Sequence, residues 1–154
     1  MVKLVLDSWN AQVQSANKLF NELNDEQLQN EVAPNRNRGI YLLGHLTAVN
    51  DKMLPLLGLG EQSFSQLNDP FLAKPDKSVA EIPSAAELRN CWNSSTAILE
   101  KHFSSITPDE WLAKHTSVST EDFVKEPHRN RLNIIITRTN HLAYHLGQLS
   151  FLKK

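Results

Sequence analysis

Apolar residues recur along this chain at intervals of three and four. No stretch of appreciable length alternates as a half-buried strand would, so the pattern predicts an all-α fold. Trp9, Val13, Ala16, Phe20 and Leu23 form a narrow stripe on a first helix that starts after Asp7 or Ser8. Asn24-Asp25-Glu26 interrupts it, residues 25–31 add a short turn, and Pro34-Asn35-Arg36-Asn37 marks a loop. A second helix is expected over about residues 38–57, with Leu42, Leu46, Val49, Met53 and Leu56 toward the core and Gly58 as its stop. Ser84 followed three residues later by Glu87 is a capping-box signature for a third helix over about residues 85–105, with Leu88, Trp92, Ser95, Leu99 and Phe103 inward. Thr107-Pro108-Asp109-Glu110 caps a short helix carrying Trp111, residues 114–129 read as polar and irregular, and a last helix over about residues 130–152 is amphipathic through Ile135, Leu142, Leu146 and Leu149.

Residues 58–83 are punctuated by Gly58, Gly60, Pro70, Pro75 and Pro83. A link this long between helices often runs from one end of a bundle to the other, so a crossover between the second and third helices is expected. The 154 residues, 40% of them hydrophobic, suffice for one core, and a single domain over 1–154 is the default. A net charge of −1 without a basic run or stripe argues against nucleic acid or an anionic membrane as principal partner and leaves a small molecule or a protein. The lone Cys91 excludes an intramolecular disulfide and any multi-cysteine zinc or iron–sulfur site, in keeping with the cytoplasm. The N-terminus breaks into charge too early for a signal peptide and no stretch approaches membrane-spanning length, so a soluble, unexported protein is expected.

The candidate chemistry lies in His141-Leu142-Ala143-Tyr144-His145, where two imidazoles one helical turn apart project from the same face and can grip one divalent ion. With six histidines in the chain, such spacing arises by chance in about one chain of five, so placement has to support it. Both histidines border the apolar stripe of the last helix, and His45 lies between Tyr41 and Val49 on the inward edge of the second. Three buried imidazoles without a shared purpose would leave several ring nitrogens seeking partners, whereas one ion would satisfy three of them. Leu142 stands where a His-Glu-x-x-His metalloprotease needs glutamate, and the Glu-x-x-His pairs of di-iron bundles have no counterpart, so the site reads as mononuclear.

The last helix with His141-x-x-x-His145-x-Gly147-Gln148, Gly44-His45-Leu46 on the second helix, the entry loop Pro34-Asn35-Arg36-Asn37 and the long second connection resemble the DinB-like superfamily of metal-dependent enzymes over nearly the whole chain. The resemblance implies an up-down-down-up four-helix bundle and assigns the metal to His45, His141 and His145. In that topology helices two and four run antiparallel. His45 then lies about seven residues after the start of one and His145 about seven before the end of the other, both roughly 10 Å below the same rim. His102, near the end of the third helix, falls toward the opposite end and reads as a boundary residue favoured by the helix dipole. His115 and His128 read as surface residues.

Three neutral imidazoles keep the full charge of a divalent ion and leave room for water or substrate, which suits catalysis better than reinforcement. Zinc or nickel heads the candidates, with iron, copper and manganese also compatible. The chemistry is hydrolysis through activated water or transfer through an activated thiol. The resemblance implies the second route, because some relatives use a low-molecular-weight thiol as cosubstrate, and it also implies a homodimer. No general base is evident. Arg138 either holds an anionic substrate or snorkels to solvent, Tyr41 either orients a water or packs, and Gln148 either supports His145 through a hydrogen bond or faces solvent. Gly147 reads as a point of close helix contact. The opposing reading is a noncatalytic, stress-related dimeric helical module with structural histidines or an adventitious ion.

Overall fold

The computed structural model describes residues 1–153 and is all-helical, with no extended strand among those residues. Four long helices carry it: α1 (Val2–Glu22), α3 (Gly39–Leu56), α4 (Ala85–Phe103) and α7 (Arg131–Leu149). Three short ones intervene, α2 (Asp25–Leu28), α5 (Pro108–Trp111) and α6 (Thr120–Lys125). α1 packs chiefly along α7 and α3 chiefly along α4, while α3 meets α7 and α1 meets α4 more sparingly. Among the described residues no helix is long and apolar enough to cross a membrane.

The helix ends follow from local chemistry. Ser84 accepts the Glu87 N–H while the Glu87 side chain accepts the Ser84 N–H, and Thr107 with Glu110 does the same for α5, whose first residue is Pro108. α3 ends in a Schellman arrangement: Gly58 takes φ 69°, a left-handed conformation that a Cβ would penalise, and the Leu59 N–H donates to the Leu54 carbonyl at 2.8 Å. α1 departs from expectation by starting at Val2, not after Asp7 or Ser8. Nothing in residues 2–8 breaks a helix, and Val2, Val5 and Leu6 pack against the core, so tertiary burial extends the helix through both capping candidates.

The core contains Trp9, Phe20, Leu42, Leu46, Met53, Leu88, Trp92, Leu99, Ile135, Leu142 and Leu149, and the Trp92 indole donates to Asn17. α3 is buried on most of its circumference because the 58–83 connection covers the side that α4 and α7 leave open. That connection is structured, with a 3₁₀ turn at Ser65–Leu67 and a π turn at Asp69–Ala73 that bury Leu67 and Phe71 against α3. The fully buried Asp51 carboxylate holds it there by accepting the Ser63 and Phe64 N–H groups, each at 2.9 Å. Residues 114–129 are likewise more ordered than their polarity suggests. They include α6, and Thr116 donates through its N–H to the Leu56 carbonyl, tying the segment to the end of α3.

Candidate metal centre

His45 projects from α3 and His141 and His145 from α7, and the fold brings one nitrogen of each within 4.8 Å of the others. Nε2 of His141 lies 3.2 Å from Nε2 of His45 and 3.0 Å from Nε2 of His145. The opposite ring nitrogens decide what those contacts mean. His45 Nδ1 is 2.9 Å from the Phe71 carbonyl oxygen, and His145 Nδ1 is 2.7 Å from Gln148 Oε1, while the Gln148 amide nitrogen donates to the Tyr144 hydroxyl at 3.2 Å. Both partners of the Nδ1 atoms are acceptors, so each Nδ1 carries the proton and each Nε2 presents a lone pair.

His141 can donate from Nε2 to only one of two lone pairs. In the neutral cluster at least one close nitrogen–nitrogen contact therefore lacks a proton. A cation between the three nitrogens removes that conflict. Ligands spaced tetrahedrally at ~2.0–2.1 Å from zinc lie roughly 3.3 Å apart, close to the separations seen. Burial, then the neighbouring His145 and His45 and the charge of Arg138, pull His141 down to about 4. Burial also lowers His45 and His145, against the opposing pull of their Nδ1 hydrogen bonds. All three rings are consequently neutral near pH 7, the form that binds a metal.

The supporting shell comes largely from the 58–83 connection. Gly44 lies against the Phe71 ring, where an added methyl would overlap it, and this close approach lets the Phe71 carbonyl reach His45 on the adjacent residue. Tyr41 stacks nearly parallel to His45, with ring centroids 6.3 Å apart, and donates its hydroxyl to the Lys74 carbonyl at 2.8 Å. It thus packs and also anchors the connection. Gln148 touches His145 directly, whereas Arg138 makes no contact with the ring nitrogens and acts on His45 and His141 through its charge. Phe71, Tyr144 and Asp51 went unread in the sequence. Phe71 contributes a backbone carbonyl, which leaves no trace in residue identity, but an acid within so apolar a helix as α3 was a usable signal for Asp51.

Among the described residues the metal-ligating cluster contains His45, His141 and His145 and no others. His102 is outside it, and His128 is exposed. His115 corrects its surface reading: it is buried, and its Nδ1 accepts the Ser117 N–H at 3.3 Å, because the segment around it folds back with Val118 packed inward. Gly147 is also corrected, since nothing crowds it and it mediates no close helix contact. Cys91 is half-buried, and burial, followed by Glu87 and Asp51, raises its thiol pKa, which disfavours the reactive thiolate. A cleft of about 350 Å³ between α1 and α4 is lined by Trp9, Asn17, Asn93 and Glu100, away from the histidines.

These features define an all-helical protein whose three-histidine cluster fits a metal-binding site. The family model of the DinB superfamily matches residues 9–149, and the chain belongs to that superfamily. A conserved protein of known structure from Enterococcus faecalis is similar over 99% of this chain and 94% of its own, with a TM-score of 0.66 and 14% identity, a likeness of fold alone. No curated protein matches the chain.

Proposed function

We propose that the protein is a mononuclear metal-dependent enzyme acting on a small molecule, with His45, His141 and His145 as ligands to zinc or nickel. The observation that carries this reading is the convergence of three Nε2 atoms while Phe71 and Gln148 fix the tautomers of His45 and His145. A divalent ion there would supply Lewis-acid activation of water or of a low-molecular-weight thiol, supporting hydrolysis or thiol transfer. This chain's residues contribute ligand orientation: the Phe71 carbonyl and Tyr41 fix the His45 ring, and Gln148 fixes His145. Membership of the superfamily supports arranging the four long helices as an up-down-down-up bundle, and the lone Cys91 suits a reducing cytoplasm.

A second reading keeps the ion without turnover, as a stress-related dimeric module. Its support is exposed apolar surface at Leu4, Ile136, Tyr144 and Phe151, of the kind a homodimer covers. The test begins with untagged protein titrated with zinc and with nickel, beside His141→Ala. The expected result is one ion per chain and a loss of at least about a hundredfold in affinity in the variant, since removing a ligand costs more than the ~10–100-fold of a supporting residue. Full affinity in His141→Ala would sink the metal centre. Hydrolase and thiol-transfer assays on loaded protein and on His45→Ala then separate the enzyme from the module.

A further inference from the structure

One turn from the histidines, α7 carries a cation that no described residue neutralises. Arg138, one turn before His141, is half-buried; its Nε is shut off from solvent and finds no hydrogen-bond partner among the described residues. It takes part in none of the ion pairs there. Arg138 lines a cleft of about 370 Å³ together with Lys52, Pro55, Leu56, Thr116 and Ser117, none of them acidic. Arg131, two turns further back, also has a buried Nε without a partner, and its guanidinium approaches the same corner near Gly58 and Thr116.

A half-buried guanidinium with an unpaired donor is costly, and the cost grows when a divalent cation is to be held one turn away. Water in the cleft would hydrate the guanidinium edge that faces it and leave the charge unopposed. An oxyanion there supplies the counter-charge as well, because a carboxylate or phosphate accepts two parallel N–H bonds from a guanidinium fork. We infer that the Lys52–Arg138 cleft receives the anionic group, a carboxylate or a phosphate, of a substrate whose reacting end reaches the histidine cluster. This rests on the metal-centre reading for the reacting end alone. Arg138 lies three residues from His141, and Lys52 seven from His45. At 1.5 Å per residue the anion therefore sits roughly 5–10 Å along the helices from the ion. That span describes a small organic acid or phosphate ester, held by Arg138 and Lys52 with the Ser117 hydroxyl available beside them.

The experiment uses the full-length, metal-free protein titrated calorimetrically at low salt with inorganic phosphate and, separately, with acetate. Saturable binding of at least one probe is expected, weakened at least tenfold in Arg138→Gln, several-fold in Lys52→Gln, and unchanged in His141→Ala. The tighter probe identifies the group. Lys52 is exposed, so its variant remains informative if Arg138→Gln folds poorly. The inference is overturned if neither probe binds, if both variants bind as wild type does, or if binding disappears in His141→Ala. Zinc titration of the same proteins keeps the two readings apart. Zinc uptake that persists or strengthens in Arg138→Gln supports the cleft as a separate element, whereas Arg138-dependent phosphate binding without zinc uptake by the wild type removes the metal centre and leaves the anion cleft standing.

Discussion

The histidine cluster has two flanks built on opposite principles. On the flank formed by the 58–83 connection the clamping cation is answered: Arg38 gives Asp76 its backbone N–H at 2.7 Å and its guanidinium at 2.7–3.2 Å, and reaches Gln29 at 3.2 Å. Tyr41 answers the Lys74 carbonyl and His45 the Phe71 carbonyl. On the far flank Arg138 has a buried donor with no partner among the described residues, in a cleft to which they contribute no acid. Two arginines of one protein thus differ in whether the chain itself supplies the counter-charge. The difference teaches that burial of a cation says little until its partners are counted. The saturated arginine fastens a loop, and the unsaturated one is left for a partner from outside.

Substitution on each flank sharpens that contrast. Asp76→Ala should cost about 2–3 kcal/mol in urea denaturation, because it strips the Arg38 guanidinium of its carboxylate partner and the Arg38 N–H, at the N-cap of α3, of its acceptor. A loss below ~0.5 kcal/mol would mean the flank is not a clamp. Burial raises the Asp76 pKa, but the hydrogen bonds and charge of Arg38 outweigh it and hold the carboxyl below its ordinary 3.8. Its contribution is therefore present above pH 3.8 and lost as pH falls through the lower, folded value, so wild type and Asp76→Asn should converge in stability at strongly acid pH. Gly44→Ala should cost about 1–3 kcal/mol by driving a methyl into the Phe71 ring, and should also weaken zinc binding by shifting the carbonyl that holds His45. Gln148→Ala should leave stability nearly unchanged and lower zinc affinity about tenfold in competition titrations. The smallest effect belongs to the far flank: Arg138→Gln should change unfolding free energy by less than about 0.5 kcal/mol, or stabilise the chain, since no internal bond is lost. A loss as large as that of Asp76→Ala would erase the contrast.

Much of this was legible in the sequence where local chemistry decides it. Ser84 with Glu87, Thr107 with Glu110 and Gly58 mark helix ends whose signals are short-range, and those ends fall within about two residues of expectation. The start of α1 was not legible at Asp7 or Ser8, because packing of Val5 and Leu6 overrides a capping preference of about 1 kcal/mol. The inward placement of His45, His141 and His145 followed from helix periodicity, and their gathering from the family resemblance, whose topology sets His45 and His145 at matched depth. The shell around them did not, since it depends on Asp51 pinning residues 63–64 and on a carbonyl at Phe71, contacts made across the connection. His115 shows the same limit: in a polar stretch its burial depends on Val118 and on the end of α3, neither of which periodicity reports.

The pairing of α1 with α7 and of α3 with α4 has a mechanical consequence. The histidines straddle the seam between the two pairs, one on α3 and two on α7, so an ion held there acts as a rivet between halves that touch each other less than they touch within themselves. Each tenfold rise in free metal above its dissociation constant then adds about 1.4 kcal/mol against unfolding. An ion bound there would make the stability of the folded chain a readout of metal supply.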